Sequence, residues 1–336
     1  MMTARSNPYS DLSALAARIE GEDPQLYNLL LPADGFFQKA ETCQRRLTDQ
    51  VAAALRESFA GWNAADFPTL YCAWGRARTG STALANLFGT AGLPSYYQPV
   101  KALMRQFLAG DAVSPWQPPR ENFFCKDVAG PYTLAECLYI PAQMLVEAGY
   151  PPEKLHLVIL DRQPERSLGS WLRKWSGRLE RERLLAHFVC ASLNTLRVEA
   201  HARRYGIAVT HYVYEAAQEP ALAIPALFNR LGLEPAAIAA ALKEWTPLDS
   251  LDAEGSRVIF PVEPDAYVVP GLHRADADGY RYRPGTCDGV TQEDRALLYA
   301  LGVEAAYQRN ARACRHELGL PTRLLTQTMP PIAAVA

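Results

Sequence analysis

Apolar positions over residues 36–59 recur at helical spacing. Ala40, Cys43, Leu47, Val51 and Leu55 share one face, and Gly61 stands where such a helix ends. From Phe67 the pattern changes. An apolar run ending at Trp74 leads into a short glycine-containing turn and then a helical pattern through Leu84, Leu87 and Phe88. The same order returns at 155–160, where Leu155, Leu157, Val158, Ile159 and Leu160 precede Leu168, Trp171, Leu172 and Trp175. A further short run lies at 207–214. Short continuous runs without alternation mark strands buried on both faces, as in a parallel sheet. Helical spacing predicts helices at 11–20, 84–92, 101–108, 134–149, 178–205, 221–231, 235–245 and 292–318. Residues 93–99 and 114–120 read as loops, and 255–282 as a long loop region over the ligand edge. Alternating strands and helices predict an α/β fold, a central parallel sheet with helices on both faces, with ligands at the carboxyl ends of the strands.

The chain has 336 residues, 49% apolar and 21% charged, enough for one large α/β domain with additions or for two domains. A net charge of −2 gives no bulk attraction for nucleic acid or an anionic membrane. No apolar stretch reaches the ~18 residues of a spanning helix, and the N-terminus lacks the apolar core of a signal peptide. The seven cysteines form no CxxC, and several lie in apolar runs, which predicts buried free thiols and a cytoplasmic location. The six histidines show no ligand spacing, so no metal site is expected.

The chemistry is concentrated at the strand ends. Gly75-Arg76-Ala77-Arg78-Thr79-Gly80-Ser81-Thr82 lies between a strand and a helix N-terminus, where backbone N–H groups and the helix dipole favour an anion. Gly75 and Gly80 let a ligand approach the backbone, Arg78 supplies a cation, and Ser81 and Thr82 supply hydroxyls. The glycine spacing is that of a GxxxxGK[ST] loop, but Ser81 occupies the lysine position. An ordinary strand-turn-helix has the same order of residues. At the end of the 155–160 run stands Arg162, a planar fork of donors suited to phosphate, with Ser170 eight residues on in the next helix. Asp161 beside it has the position of a magnesium-binding carboxylate. A third strand end reads Asn122-Phe123-Phe124-Cys125-Lys126-Asp127-Val128.

Arg78-Thr79-Gly80-Ser81-Thr82 resembles the [KR]-[ST]-G-[ST]-T phosphosulfate loop of the PAPS-dependent sulfotransferases, in the form common to their bacterial and Golgi branches. Arg162 with Ser170 is similar to the family's second nucleotide motif, and the segment ending in Lys126 to its strand-end lysine motif. Tyr212-Val213-Tyr214-Glu215 and the helix that follows also resemble the family's late strand and helix. The likeness spans about residues 68–300 and implies a P-loop-like sulfotransferase domain over 67–318, with an N-terminal helical extension at 1–66 and a tail at 319–336. It implies 3′-phosphoadenosine 5′-phosphosulfate (PAPS) as co-substrate and no metal. Thr79, Gly80, Ser81 and Thr82 would hold the 5′-phosphate, and Arg162 and Ser170 the 3′-phosphate. Arg78 and Lys126 would stabilise the bridging oxygen, with Ser170 reaching both ends. Arg283 and Gly285 would form the family's late closing loop, for which an ordinary Pro-Gly turn is the alternative. Relatives often place an acid shortly after the phosphate-loop helix, where this chain has Gln98. The base is therefore sought in Asp127, His211 or His187, and an acceptor pocket among Tyr96, Tyr97, Trp116, Trp171 and Trp175. The expected partner is a small-molecule acceptor, a natural product or carbohydrate, sulfated on a hydroxyl or amine. Homo-oligomerisation stays open. The alternatives are a P-loop kinase or NTPase with a degenerate Walker A loop, and a non-catalytic nucleotide-binding relative.

Overall fold

The computed structural model describes residues 11–234, 238, 242–243, 258–267 and 280–325. Most of the helix predicted at 235–245 and most of the loop at 255–282 lie outside the described residues, as do the last residues of the tail. The N-terminal part contains α1 (Leu12–Glu20), the two-residue strands β1 (Leu30–Leu31) and β2 (Thr42–Cys43), and α2 (Gln44–Ser58). Then follow β3 (Leu70–Trp74), α3 (Ser81–Thr90), β4 (Ser95–Tyr97), α4 (Pro99–Ala109), β5 (Phe123–Lys126), α5 (Leu134–Leu138) and α6 (Pro141–Glu147). The chain continues through β6 (Leu155–Asp161), α7 (Pro164–Trp175), α8 (Arg181–Arg204), β7 (Ala208–Val213) and α9 (Pro220–Arg230). It closes with β8 (Val258–Ile259), α10 (Gln292–Ala300) and α11 (Val303–Glu317).

Six strands form one sheet in the order β7-β6-β3-β5-β4-β8, and every pairing in it is parallel. The expected α/β architecture, a central parallel sheet flanked by helices, is therefore present. Strand side chains alternate between two apolar layers. Leu70, Cys72 and Trp74 join the layer made with α1, α2 and α4 to α8. Tyr71 and Ala73 join the one made with α3, α9 and part of α11. Leu15, Ile19, Leu47 and Val51 of the N-terminal segment belong to the same cluster as the strand residues, so this segment completes one face of the core. No helix among the described residues is long and apolar enough to cross a membrane.

Four expected elements differ. The helix expected at 36–59 begins only at Gln44, because the Asp34 carboxylate accepts the backbone N–H groups of Phe36, Phe37 and Gln38 and holds that stretch as a turn. The expected loop 93–99 contains β4, whose Ser95 pairs in register with Phe124. The helix expected at 134–149 is broken, since Pro141 has no N–H to donate and drives Ile140 to extended backbone at φ −124°. The helix expected at 292–318 is divided at Gly302, which has φ +75°. All seven cysteines are free, and all but Cys43 and Cys287 are buried.

His211 ties three elements together. Its ring bonds Glu317 of α11 at 3.0 Å and Glu199 of α8 at 3.4 Å. Although burial alone would lower its pKa, the two carboxylates raise it to about 9. A histidine pKa raised on folding stabilises fully below its unfolded value of about 6.5 and loses that effect as pH rises through about 9. His211→Gln is therefore expected to cost about 3 kcal/mol near neutral pH. The loss should shrink to a small fraction above pH ~9.5, as read by urea unfolding at both pH values.

Candidate active site

β3 lies between β6 and β5, with chain crossings running to both sides of it. This is the switch point at which a parallel sheet opens a crevice at its carboxyl edge. The three expected motifs follow these three adjacent strands. The loop after β3 holds Arg78 in left-handed backbone at φ +73° and Gly80 at φ +79°. A Cβ at Gly80 would overlap the Tyr214 ring, so only glycine fits there. Gly75 serves a different purpose from the one expected. A Cβ there would overlap the Leu160 carbonyl, so the residue admits the neighbouring strand β6, not a ligand.

The first two motifs meet. Arg162 Nη1 donates to the Arg78 carbonyl at 3.0 Å, and Arg78 Nε donates to Ser170 Oγ at 2.9 Å. Lys126, at the end of β5, closes the group from the other side. Its Nζ donates to Thr82 Oγ1 at 3.0 Å and lies 3.7 Å from the centre of the Tyr97 ring. Ser81 and Thr82 start α3, and Thr79 is buried with its hydroxyl on the Arg76 carbonyl. The late loop reaches the same place. Arg162 Nη2 donates to the Pro284 carbonyl at 2.6 Å, and a Cβ on Gly285 would lie 2.6 Å from that nitrogen. Arg283 is exposed and meets this group through its backbone N–H, which donates to the Tyr214 hydroxyl at 3.1 Å.

The electrostatics are one-sided. Arg78, Lys126 and Arg162 form no ion pair with a carboxylate among the described residues. Lys126 and Arg162 are only 3% and 7% exposed, and Arg78 is half-buried. Burial pushes the Lys126 ammonium well below its ordinary pKa, and the charge of Lys101 adds to this. Burial also lowers the Arg78 and Arg162 guanidinium values, and the charge of Arg162 further lowers that of Arg78. Arg162 Nε is buried without a hydrogen-bond partner. Uncompensated buried cations are costly in a folded protein. Three basic side chains gathered at one sheet edge can take up an anion.

Arg76 and Asp161 contrast with this group. Arg76 Nη1 pairs with Asp161 Oδ1 at 2.6 Å, and both side chains are almost fully buried. Asn310 Nδ2 donates to the other carboxylate oxygen at 2.8 Å. Arg76 also bonds Ser167 Oγ and the Arg162 carbonyl. The pair fixes the end of β6 against α7 and α11, and both Asp161 oxygens are engaged by protein donors.

The proposed bases lie elsewhere. Asp127 is fully buried, with its Oδ1 accepting the Lys101 backbone N–H at the start of α4, and burial raises its pKa to about 7. The His187 ring bonds the Pro131 carbonyl in the core, where burial lowers its pKa to about 4. His211 is held in its clamp. Of the five aromatic candidates, Tyr97 touches the cation cluster. Trp171 and Trp175 are core residues, and Tyr96 packs edge-to-face with Trp116 at 5.5 Å.

Sequence reasoning missed Lys174 and Glu263, and took Tyr214 only as part of the late strand. Tyr214 lies under the Arg162 guanidinium at 4.7 Å from its ring centre, and Lys174 stands one helical turn beyond Ser170, where the Arg78 charge acts on it. Glu263 bonds Gln98 Nε2 at 3.3 Å and Arg105 Nη1 at 2.6 Å. Spacing on α7 could have found Lys174, whereas no local signal marks Glu263. Comparison with protein-family models, with curated proteins and with solved structures finds no match to this chain.

Proposed function

We propose that the chain is a sulfotransferase that moves a sulfuryl group from PAPS to a small-molecule acceptor by in-line displacement. The observation that carries this reading is the meeting of Arg162, Arg78 and Ser170 within direct hydrogen-bond distance, with Lys126 on Thr82 of the same loop. Two strand-end motifs far apart in sequence thus meet at one sheet edge, which supports a shared ligand held by both. The loop 79–82 and the N-terminus of α3 take the 5′-phosphate, and Arg162 and Ser170 take the 3′-phosphate. Arg78 and Lys126 stabilise the negative charge that grows on the bridging oxygen as the sulfur–oxygen bond breaks, the largest rate effect in transfers of this kind.

A magnesium-dependent kinase or NTPase fits less well. Ser81 stands at the lysine position of its loop, and the Asp161 carboxylate is taken by Arg76 and Asn310. Incubation with PAPS and a panel of phenols, alcohols and amines in the presence of a chelator is expected to release adenosine 3′,5′-bisphosphate together with a sulfated product. Turnover of Mg-ATP in place of PAPS would overturn the reading.

The depressed Lys126 pKa supplies a second check. An anion bound at Nζ favours the charged lysine and raises its pKa again, so the complex holds more protons than its separate parts. Bisphosphate affinity is expected to fall as pH rises above the depressed Lys126 pKa. Titrations in two buffers of different ionisation enthalpy should show net proton uptake that disappears in Lys126→Met. Equal heats in the two buffers would contradict it.

A further inference from the structure

We propose that Glu263 takes the proton from the acceptor hydroxyl during sulfuryl transfer, an inference that rests on the sulfotransferase reading above. Residues 260–263 continue from the carboxyl end of β8, the strand parallel to β4. Glu263 therefore reaches the same sheet edge as Gln98 after β4 and Lys126 at the end of β5. The Gln98 backbone N–H donates to the Lys126 carbonyl at 2.6 Å, and its side-chain amide donates to Glu263 Oε1 at 3.3 Å. The carboxylate is thus one glutamine side chain from the strand end that carries Lys126.

Two carboxylates, Glu263 and Asp127, act on the Lys126 charge. Asp127 is sealed, 0% exposed, and committed to the start of α4. The Glu263 side chain is 15% exposed. Its two oxygens are used differently. Oε2 is clamped by Arg105, which is itself fixed by Glu136 at 3.0 Å and by the Tyr267 ring at 4.6 Å. Oε1 receives, among the described residues, only the long bond from the Gln98 amide. One oxygen is held rigidly and the other is available to an incoming hydroxyl, the arrangement a positioned base requires. Gln98 occupies the place of an acid and orients the carboxylate that does the work. In the step, the acceptor O–H proton passes to Oε1 and the acceptor oxygen forms the new bond to sulfur. The bond from sulfur to the bridging oxygen breaks with its electron pair going to the 5′-phosphate. Adenosine 3′,5′-bisphosphate leaves against Arg78 and Lys126, and Glu263 returns the proton to water.

The test compares phenol, protonated at about pH 8, with 4-nitrophenol, largely ionised there and independent of a base. Glu263→Gln is expected to lower kcat for phenol at least ~100-fold and for 4-nitrophenol less than ~3-fold. Bisphosphate affinity should be unchanged, which also reports an intact fold, and Glu263→Asp should restore part of the phenol rate. Equal losses with both phenols, or no loss with either, overturn the assignment. So does a wild-type chain that binds bisphosphate but transfers sulfuryl to neither phenol nor to water. Failure to bind bisphosphate at all overturns the underlying reading, and this inference with it.

Discussion

Arg162→Ala is expected to weaken adenosine 3′,5′-bisphosphate binding by about 100- to 1,000-fold, while adenosine 5′-monophosphate binding changes less than ~5-fold. Charge-assisted bonds from a guanidinium fork to phosphate are each worth about 1.5–3 kcal/mol, and two of them account for the loss. Arg162 is buried without a carboxylate partner among the described residues and its Nε is unpartnered, so on the proposed reading a phosphate supplies the missing negative charge. Arg162 also bonds the Arg78 and Pro284 carbonyls, so some distortion of the late loop is expected. The monophosphate is the control, since it uses the loop 79–82 but not the 3′-phosphate site. An equal loss for both nucleotides would mean that the substitution disrupts the loop and not a phosphate contact.

Lys126→Met is expected to lower sulfuryl transfer about 1,000-fold and to stabilise the protein by about 1–3 kcal/mol. The two effects have one cause. A lysine buried on a hydroxyl and an aromatic ring, with no carboxylate at ion-pair distance among the described residues, costs folding free energy whether it keeps its charge or gives up its proton, whereas methionine fills similar volume against Tyr97 at no such cost. On the proposed reading the same side chain, charged once the anion is bound, stabilises the transition state at the bridging oxygen. Gain of stability with loss of turnover is the signature of a residue kept for chemistry. Urea unfolding and kcat on the same preparation check it. A variant both less stable and less active would make Lys126 a packing residue.

Much of the sheet was legible because β3, β5 and β6 are buried along nearly their whole length and so read as short apolar runs. β4 and β8 were not, for a physical reason. They have three and two residues, and β4 sits between Pro94 and Pro99, so their extended backbone is decided by the partner strand and not by local preference. The cost of missing them fell on the site, because β4 delivers Tyr97 and Gln98 and β8 leads to Glu263. Arg78, Arg162 and Ser170 were visible as strand-end and helix-start chemistry, and the fold brings them into contact. Arg76 stood in the same loop and carries the same charge as Arg78. The pairing with Asp161 shows that Arg76 is structural, whereas Arg78 has no carboxylate partner among the described residues. Asp127 lies next to Lys126 in sequence, yet successive strand residues face opposite ways, which takes its carboxylate to the start of α4.

The central claim is that two strand ends hold the two phosphates of one nucleotide. Calorimetric titration in a chelating buffer, comparing adenosine 3′,5′-bisphosphate with adenosine 5′-monophosphate, tests it most directly. The account predicts magnesium-independent binding, with the bisphosphate at least ~100-fold tighter. Equal affinities for the two nucleotides, or binding of the bisphosphate only when magnesium is added, would contradict it.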